Sequence, residues 1–282
     1  MTTIGLINPG AMGVSVGAAA ASNGHRVIWA GFERSAATHK RAEQAGLHDC
    51  GKLEDLVAAA DVILSVCPPA SAEYVAADVA ANGFSGLYLE GNAIAPNRTR
   101  AIGEVIAAQG AVYVDGGIIG GPAWERSAGT TLHLSGEHAD VVAALFRDSP
   151  LLTNIVSDEI GAASALKMVF AAYTKGSTAL LSAILGVAEK EGIRAHLEKQ
   201  WGENFTAQTH QRVTANTAKA WRFVGEMEEI AETFAGAGFS DGFHLAAADT
   251  FKRLEGFKDT QTPSMDQVLT ALLSNNNKRN SR

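Results

Sequence analysis

From the N-terminus to about residue 157, short β-rich apolar runs alternate with longer alanine-rich stretches. The runs at 4–7, 26–30, 62–66, 87–90 and 112–115 predict strands, and the stretches at 11–23, 36–45, 53–59, 70–81 and 96–109 predict helices between them. Strand–helix–strand repetition implies parallel strands joined by right-handed crossovers. Two further runs, 131–134 and 153–157, flank a helical stretch at 139–146 and extend the same sheet.

Beyond Asp158 the strand signals stop. Residues 158–191 contain no proline and are followed by Gly192, which predicts one long helix with a glycine C-cap. Further helices are expected at 195–201, 206–234 and 243–254. The long helix is apolar on more than one face, so a single small domain leaves part of it uncovered. A homodimer packed across these helices follows, with burial inside a compact monomer as the alternative.

Composition narrows the class. The chain has 282 residues, 46% hydrophobic and 19% charged, with a formal net charge of −7. That suits packed α/β structure and argues against nucleic acid as the main partner. Cys50 and Cys67 provide no disulfide framework and suit a reducing compartment. The N-terminus lacks a basic leader pattern, and no apolar run approaches the ~18–20 residues that cross a bilayer. A cytoplasmic protein without membrane contact or bound metal is expected.

The first predicted strand runs into Asn8, Pro9, Gly10, Ala11, Met12 and Gly13 at a helix start, the context of a dinucleotide-binding G-x-G-x-x-G loop. Backbone amides and the positive helix end can take a pyrophosphate there. Gly10 would admit the phosphate and Gly13 would let helix and strand pack closely. Asn8 replaces the first glycine, and asparagine tolerates positive φ. An ordinary structural turn is the competing reading. After the second strand, Glu33 would favour a free ribose 2′-hydroxyl, whereas Arg34 and Ser35 would favour a 2′-phosphate and so NADP over NAD. Arg34 and Ser35 could equally open the next helix.

Val66, Cys67 and Pro68 form a lip at the end of the third predicted strand, where ligands lie in such sheets. Cys67 reads as a packing residue rather than a nucleophile. The segment Asp-Gly-Gly-Ile-Ile-Gly-Gly at 115–121 supplies paired glycines beside a chain reversal, able to present amides to an anion or to make a tight structural loop. Lys167 falls in an apolar stretch of the long helix. It either snorkels to solvent or is held in a cleft and exchanges protons. Thr174, seven residues on, falls on nearly the same helical face, and Lys175 is a second lysine candidate.

Taken in order, Asn-Pro-Gly-Ala-Met-Gly, Cys-Pro-Pro, Glu-Gly-Asn followed by Pro96, Asp-Gly-Gly-Ile-Ile-Gly-Gly and Lys167 resemble the β-hydroxyacid dehydrogenases, the family of 3-hydroxyisobutyrate and 6-phosphogluconate dehydrogenases. Beyond residue 180 the chain resembles members with a C-terminal helical domain of unassigned function. The change of pattern near residue 157 and the polar tail divide the chain into 1–157, 158–274 and a disordered tail at 275–282; the resemblance implies that the first is a Rossmann-type doubly wound dinucleotide domain and the second an all-helical domain for dimerisation and substrate. It implies that Asn8–Gly13 holds the pyrophosphate and that Val66–Pro68 and Asn92 lie near the nicotinamide. Ile118, Ile119, Gly120, Gly121, Lys167 and Thr174 would meet the substrate, with Lys167 catalytic. The family's serine is Ile119 here, its proline is Gly117 and its asparagine one turn after the lysine is Ala171, which makes the site more apolar. Trp124, His133 and His244 are candidate extra contacts. The expected activity is NADP-dependent hydride transfer on a β-hydroxy acid or related hydroxy/carbonyl small molecule. An imine reductase and a catalytically silent NADP sensor are the alternatives.

Overall fold

The computed structural model describes residues 1–258 and 260–274; the expected disordered tail at 275–282 lies outside them. The chain divides into two compact units, one covering Met1–Met168 and the other beginning at Val169. The division falls inside the long helix rather than ahead of it at residue 157.

The first unit is an eight-stranded sheet: β1 (Thr3–Leu6), β2 (Arg26–Trp29), β3 (His48–Asp49), β4 (Val62–Ser65), β5 (Leu87–Glu90), β6 (Val112–Ile119), β7 (Thr131–Ser135) and β8 (Leu152–Ser157). Its helices are α1 (Ala11–Ser22), α2 (Ala36–Gln44), α3 (Leu53–Ala59), α4 (Ala72–Ala81), α5 (Pro96–Ala107), α6 (Ala139–Ala144) and the start of α7 (Ala162–Ala171). The strand order is β3-β2-β1-β4-β5-β6-β7-β8, with all pairs parallel except β6 with β7. Every residue of β4 and β5 is buried, as expected for central parallel strands covered on both faces. Ile4, Leu6 and Leu64 point into one apolar cluster, and Ile28, Ile63 and Tyr88 into a second. Each such side chain contributes about 1.5–3 kcal/mol by leaving water. From β1 the chain builds β2 and β3 to one side and β4 onward to the other. The carboxyl ends of β1 and β4 therefore flank a topological switch point, where ligands of such sheets bind.

β6 is longer than its sequence suggests. Gly116 and Gly117, read as part of a loop, continue the strand to Ile119. They serve opposite faces: a Cβ on Gly116 would lie 2.9 Å from a Leu89 methyl, and one on Gly117 would lie 2.7 Å from the Ala163 carbonyl oxygen. The glycines are therefore required by close approach of the layers.

The long helix begins at Ala162, not Asp158, and changes to a π-helical turn over Ala172–Gly176 before α8 (Ser177–Lys190). Its end is as expected, with Gly192 in the left-handed region at φ +69°. The stretch Ala162–Lys190 is long and apolar enough to cross a bilayer, contrary to the expectation that no such run exists. In the second unit its α8 part packs against α10 (Glu203–Thr217), α12 (Gly242–Lys252) and α13 (Met265–Ser274), which makes it a core helix. The remaining helices there are α9 (Arg194–Trp201) and α11 (Ala220–Gly236). The single helix expected over 206–234 is thus two, separated at Ala218–Lys219, and α13 was not foreseen.

Candidate active site

The Asn8–Gly13 loop leaves β1 and opens α1. A Cβ on Gly13 would sit 2.2 Å from the Asn8 carbonyl oxygen and 3.4 Å from that of Val66, so Gly13 is what allows loop, helix and β4 lip to converge. Gly10 differs. Its φ is −68°, which any residue adopts, and a Cβ there would meet only the Asn8 amide nitrogen, 4.0 Å away. The open space beside its Cα suits a phosphate, and no side chain caps the helix start, leaving the first-turn amides for an anion. Among the described residues Glu33 is the only non-glycine with positive φ, so Asn8 is not in the left-handed conformation by which its substitution was rationalised. Its backbone carbonyl instead accepts from the Gly10 N–H at 2.8 Å. Arg41, unmarked by any sequence motif, donates from Nε to the Pro9 carbonyl at 3.3 Å and brings a cation to the loop.

At the end of β2, Gly31 leaves no side chain to hold the ribose, because a Cβ would collide with the Asp49 carboxylate. That carboxylate is committed to the Gly31 and Gly51 N–H groups at 3.0 and 2.9 Å. Ser35 caps α2, its Oγ accepting from Thr38 N at 3.3 Å and pairing with Thr38 Oγ1. Its hydroxyl is therefore used in opening the helix, whereas Arg34 is exposed.

The Val66–Pro68 lip is held from below by Asn92, which is 3% exposed. Asn92 Oδ1 accepts from the Cys67 N–H, while Nδ2 donates to Ser65 Oγ and Cys67 Sγ, both at 3.2 Å. Asn92 thus shapes the lip through the backbone of Cys67, with its own amide committed internally. Burial, followed by the nearby Glu90 carboxyl, pushes the Cys67 thiol up to about 11, so it stays protonated and is no nucleophile. Glu90 is fully buried, and burial pushes its pKa up to about 8, opposed by the hydrogen bond from Asn92 N.

Lys167 sits over the β6 end of the sheet. A Cβ on Gly117 would lie 2.9 Å from Lys167 Cβ, so the helix rests directly on the glycine. Asp115, fully buried and two residues earlier on the same face, anchors that helix. It accepts from Gly161 N, Ser164 N and Ser164 Oγ at 3.0, 3.0 and 2.6 Å, and from Ser135 Oγ and Thr99 Oγ1. A carboxylate at the amino end of a helix also complements its dipole. Strand alternation puts Ile119 on the Gly117 face, whereas the Ile118 side chain points into the core. Gly120, at φ +129°, lets Thr130 approach, and Gly121 O accepts from Thr130 Oγ1 at 2.8 Å. His133 faces Gly117 across the antiparallel β6–β7 pair. Burial and then the Lys167 ammonium lower its pKa.

Trp124 is exposed in the loop after β6. Thr174, Lys175 and His244 belong to the second unit. Thr174 lies in the π turn, which breaks the periodicity relating it to Lys167, and its hydroxyl donates to the Phe170 and Ala171 carbonyls. Lys175 pairs with Glu226 at 2.5 Å and lies over the Phe223 ring. His244 is buried against Phe234 and Phe243. Among the described residues no group of three His, Cys, Asp or Glu side chains could hold a metal ion.

Comparison with known proteins agrees with this architecture. Residues 3–173 match the NAD binding domain of 6-phosphogluconate dehydrogenase, and residues 185–254 match a domain of unknown function, DUF1932. An uncharacterized 28.5 kDa protein of Methanothermus fervidus is 26% identical over 226 residues, 79% of this chain and 87% of its own. The solved structure of the conserved protein MTH1747, of unknown function but similar to 3-hydroxyacid dehydrogenases, is 26% identical with a TM-score of 0.66, covering 90% of this chain and 97% of its own. The 3-hydroxyisobutyrate dehydrogenase of Mycobacterium tuberculosis shares the fold, with a TM-score of 0.71, 19% identity and coverage of 97% and 99%. The chain belongs to the β-hydroxyacid dehydrogenase family, in the branch with a helical C-terminal domain, and is an NAD(P)-dependent oxidoreductase.

Proposed function

We propose that the protein is an NADP-dependent oxidoreductase that interconverts a β-hydroxy acid, or a related hydroxy compound, with its carbonyl form. The observation that carries this reading is Lys167, set by Asp115 and Gly117 on the sheet face beside Ile119. A nicotinamide cofactor held by the Asn8–Gly13 loop would supply reversible hydride chemistry for the hydroxyl-bearing carbon. Lys167 Nζ takes the hydroxyl proton during oxidation and gives it back to the nascent alkoxide during reduction. The Asn8–Gly13 amides bind the pyrophosphate, and Gly120 and Gly121 offer backbone to an anionic substrate group. Arg34, exposed after β2, meets the 2′-phosphate, and Asp49 is committed to the Gly31 N–H; the adjacent exposed Glu33 is the carboxylate that would instead favour a free ribose. Ile119, in place of a polar residue, selects a less polar substrate than a short hydroxy acid.

The test is a panel of β-hydroxy acids and hydroxy amides with NADP⁺, using wild type and Lys167→Met. Oxidation that falls at least about 100-fold in the variant, with NADPH affinity unchanged, supports the assignment. Turnover of cyclic imines alone would make it an imine reductase, and nucleotide binding without any turnover would make it a sensor.

A homodimer is part of the same proposal. A groove of about 570 Å³ on the second unit, lined by Ser182, Ala183, Gly186, Val187 and Leu245, offers a surface for α8 of a second copy. Light scattering at twice the chain mass is the expected result. Free Cys50 and Cys67 suit a cytoplasmic location.

A further inference from the structure

Ile119 brings no side-chain hydrogen-bond donor to the sheet face that carries Lys167, whereas a donor side chain stands on the neighbouring strand. His133 occupies the β7 position directly opposite Gly117, and Gly117 is the residue on which Lys167 rests. Strand alternation therefore puts the imidazole on the sheet face that carries Lys167, together with Asp115, Gly117 and Ile119. On β8, Asn154 pairs in register with His133, and its Nδ2 lies 3.1 Å from His133 Nδ1. An amide nitrogen can only donate, so Nδ1 accepts and the ring proton resides on Nε2. Burial and then the Lys167 charge both disfavour a second proton on this ring. A histidine serving only as packing needs no partner that fixes its tautomer, whereas one that must present a donor does.

We infer that His133 is a substrate-orienting residue: with Nδ1 held by Asn154, its Nε2–H donates to an oxygen of the substrate other than the one that exchanges its proton with Lys167. The preferred substrate then carries a second oxygen acceptor, a carboxylate, amide carbonyl or hydroxyl. This inference rests on the reading of Lys167 as the proton-transfer group.

Two measurements test it on the full-length protein. Ring-nitrogen NMR of ¹⁵N-histidine protein, assigned with His133→Phe, should show His133 neutral and protonated on Nε2 at pH 7. Asn154→Asp replaces the donor by an acceptor, so it should move the proton to Nδ1 and raise the pKa of His133. In kinetics with an oxidised hydroxy acid, His133→Phe should raise KM about tenfold or more, the cost of one lost hydrogen bond, with kcat changed far less. A substrate lacking the second oxygen should show no such loss. An Nδ1–H tautomer in wild type, or unchanged KM and substrate ranking in a folded His133→Phe, would overturn the inference and leave the function of Lys167 intact. Absence of turnover by wild type across the panel would overturn both.

Discussion

Gly117 and Lys167 are in contact across two layers: a Cβ on the glycine would come within 2.9 Å of the lysine Cβ and 2.7 Å of the Ala163 carbonyl oxygen. The second of these is backbone, which cannot swing aside. Gly117→Ala is therefore expected to lift the amino end of α7 and displace Lys167. Turnover should drop at least about tenfold, while stability falls by about 1–3 kcal/mol and nucleotide affinity is retained. Steady-state kinetics beside nucleotide titration separates these effects, and loss of nucleotide binding instead would show that the glycine serves the cofactor half.

The two glycines of the opening loop should respond in opposite ways. Gly13→Ala forces a methyl to 2.2 Å from the Asn8 carbonyl oxygen, so both stability and nucleotide binding should suffer. Gly10→Ala suits the backbone at φ −68° and meets no atom closer than 4.0 Å. Its melting temperature should hold or rise slightly, while nucleotide affinity falls about tenfold or more because the methyl fills the phosphate space. Equal affinity in Gly10→Ala and wild type would mean that the phosphate lies elsewhere.

Asp115 accepts five hydrogen bonds from Gly161, Ser164, Ser135 and Thr99 in a fully buried setting. Asp115→Asn turns one acceptor oxygen into a donor that faces other donors. A loss of about 3 kcal/mol in urea denaturation is expected, together with reduced turnover through the loosened Lys167 helix.

Glu90 gives a pH dependence of definite sign. Its carboxyl, at about 8 in the fold because of burial, is at about 4.5 in the unfolded chain. Between these values the folded state binds more protons than the unfolded state, so stability declines as pH rises from about 4.5 and the loss is complete just above 8. Glu90→Gln keeps an oxygen for the Asn92 N–H and cannot ionise. Its denaturation midpoint should exceed that of wild type at pH 8.5 and approach it at pH 5. Parallel pH profiles for the two proteins would show that Glu90 is already ionised in the fold.

The sheet of the first unit was readable because β1, β4 and β5 are near-continuous apolar runs, which only a strand covered on both faces displays. The two-residue β3 has no such run. β6 was cut short because Gly116 and Gly117 carry the usual mark of a turn; their role comes from neighbours distant in sequence, Leu89 and Ala163. The π turn at Ala172–Gly176, which contains Thr174, interrupts a pattern that reads as unbroken helix. Lys167 and the loop glycines could be singled out in the sequence because each belongs to a local motif. Arg41, the Asp115 anchor and the His133–Asn154 pair join separate elements, and no spacing within one segment announces them.

The central claim is that Asn8–Gly13 and Arg34 form a site for NADP. Titration of the full-length protein with NADPH and NADH, for wild type and Arg34→Ala, tests it most directly. NADPH should bind wild type at least about tenfold more tightly than NADH, and Arg34→Ala should erase that difference with little change in NADH affinity. Equal affinities in wild type would contradict the assignment of the 2′-phosphate to Arg34. Failure of both nucleotides to bind below about 1 mM would contradict the cofactor site itself and every catalytic role built on it.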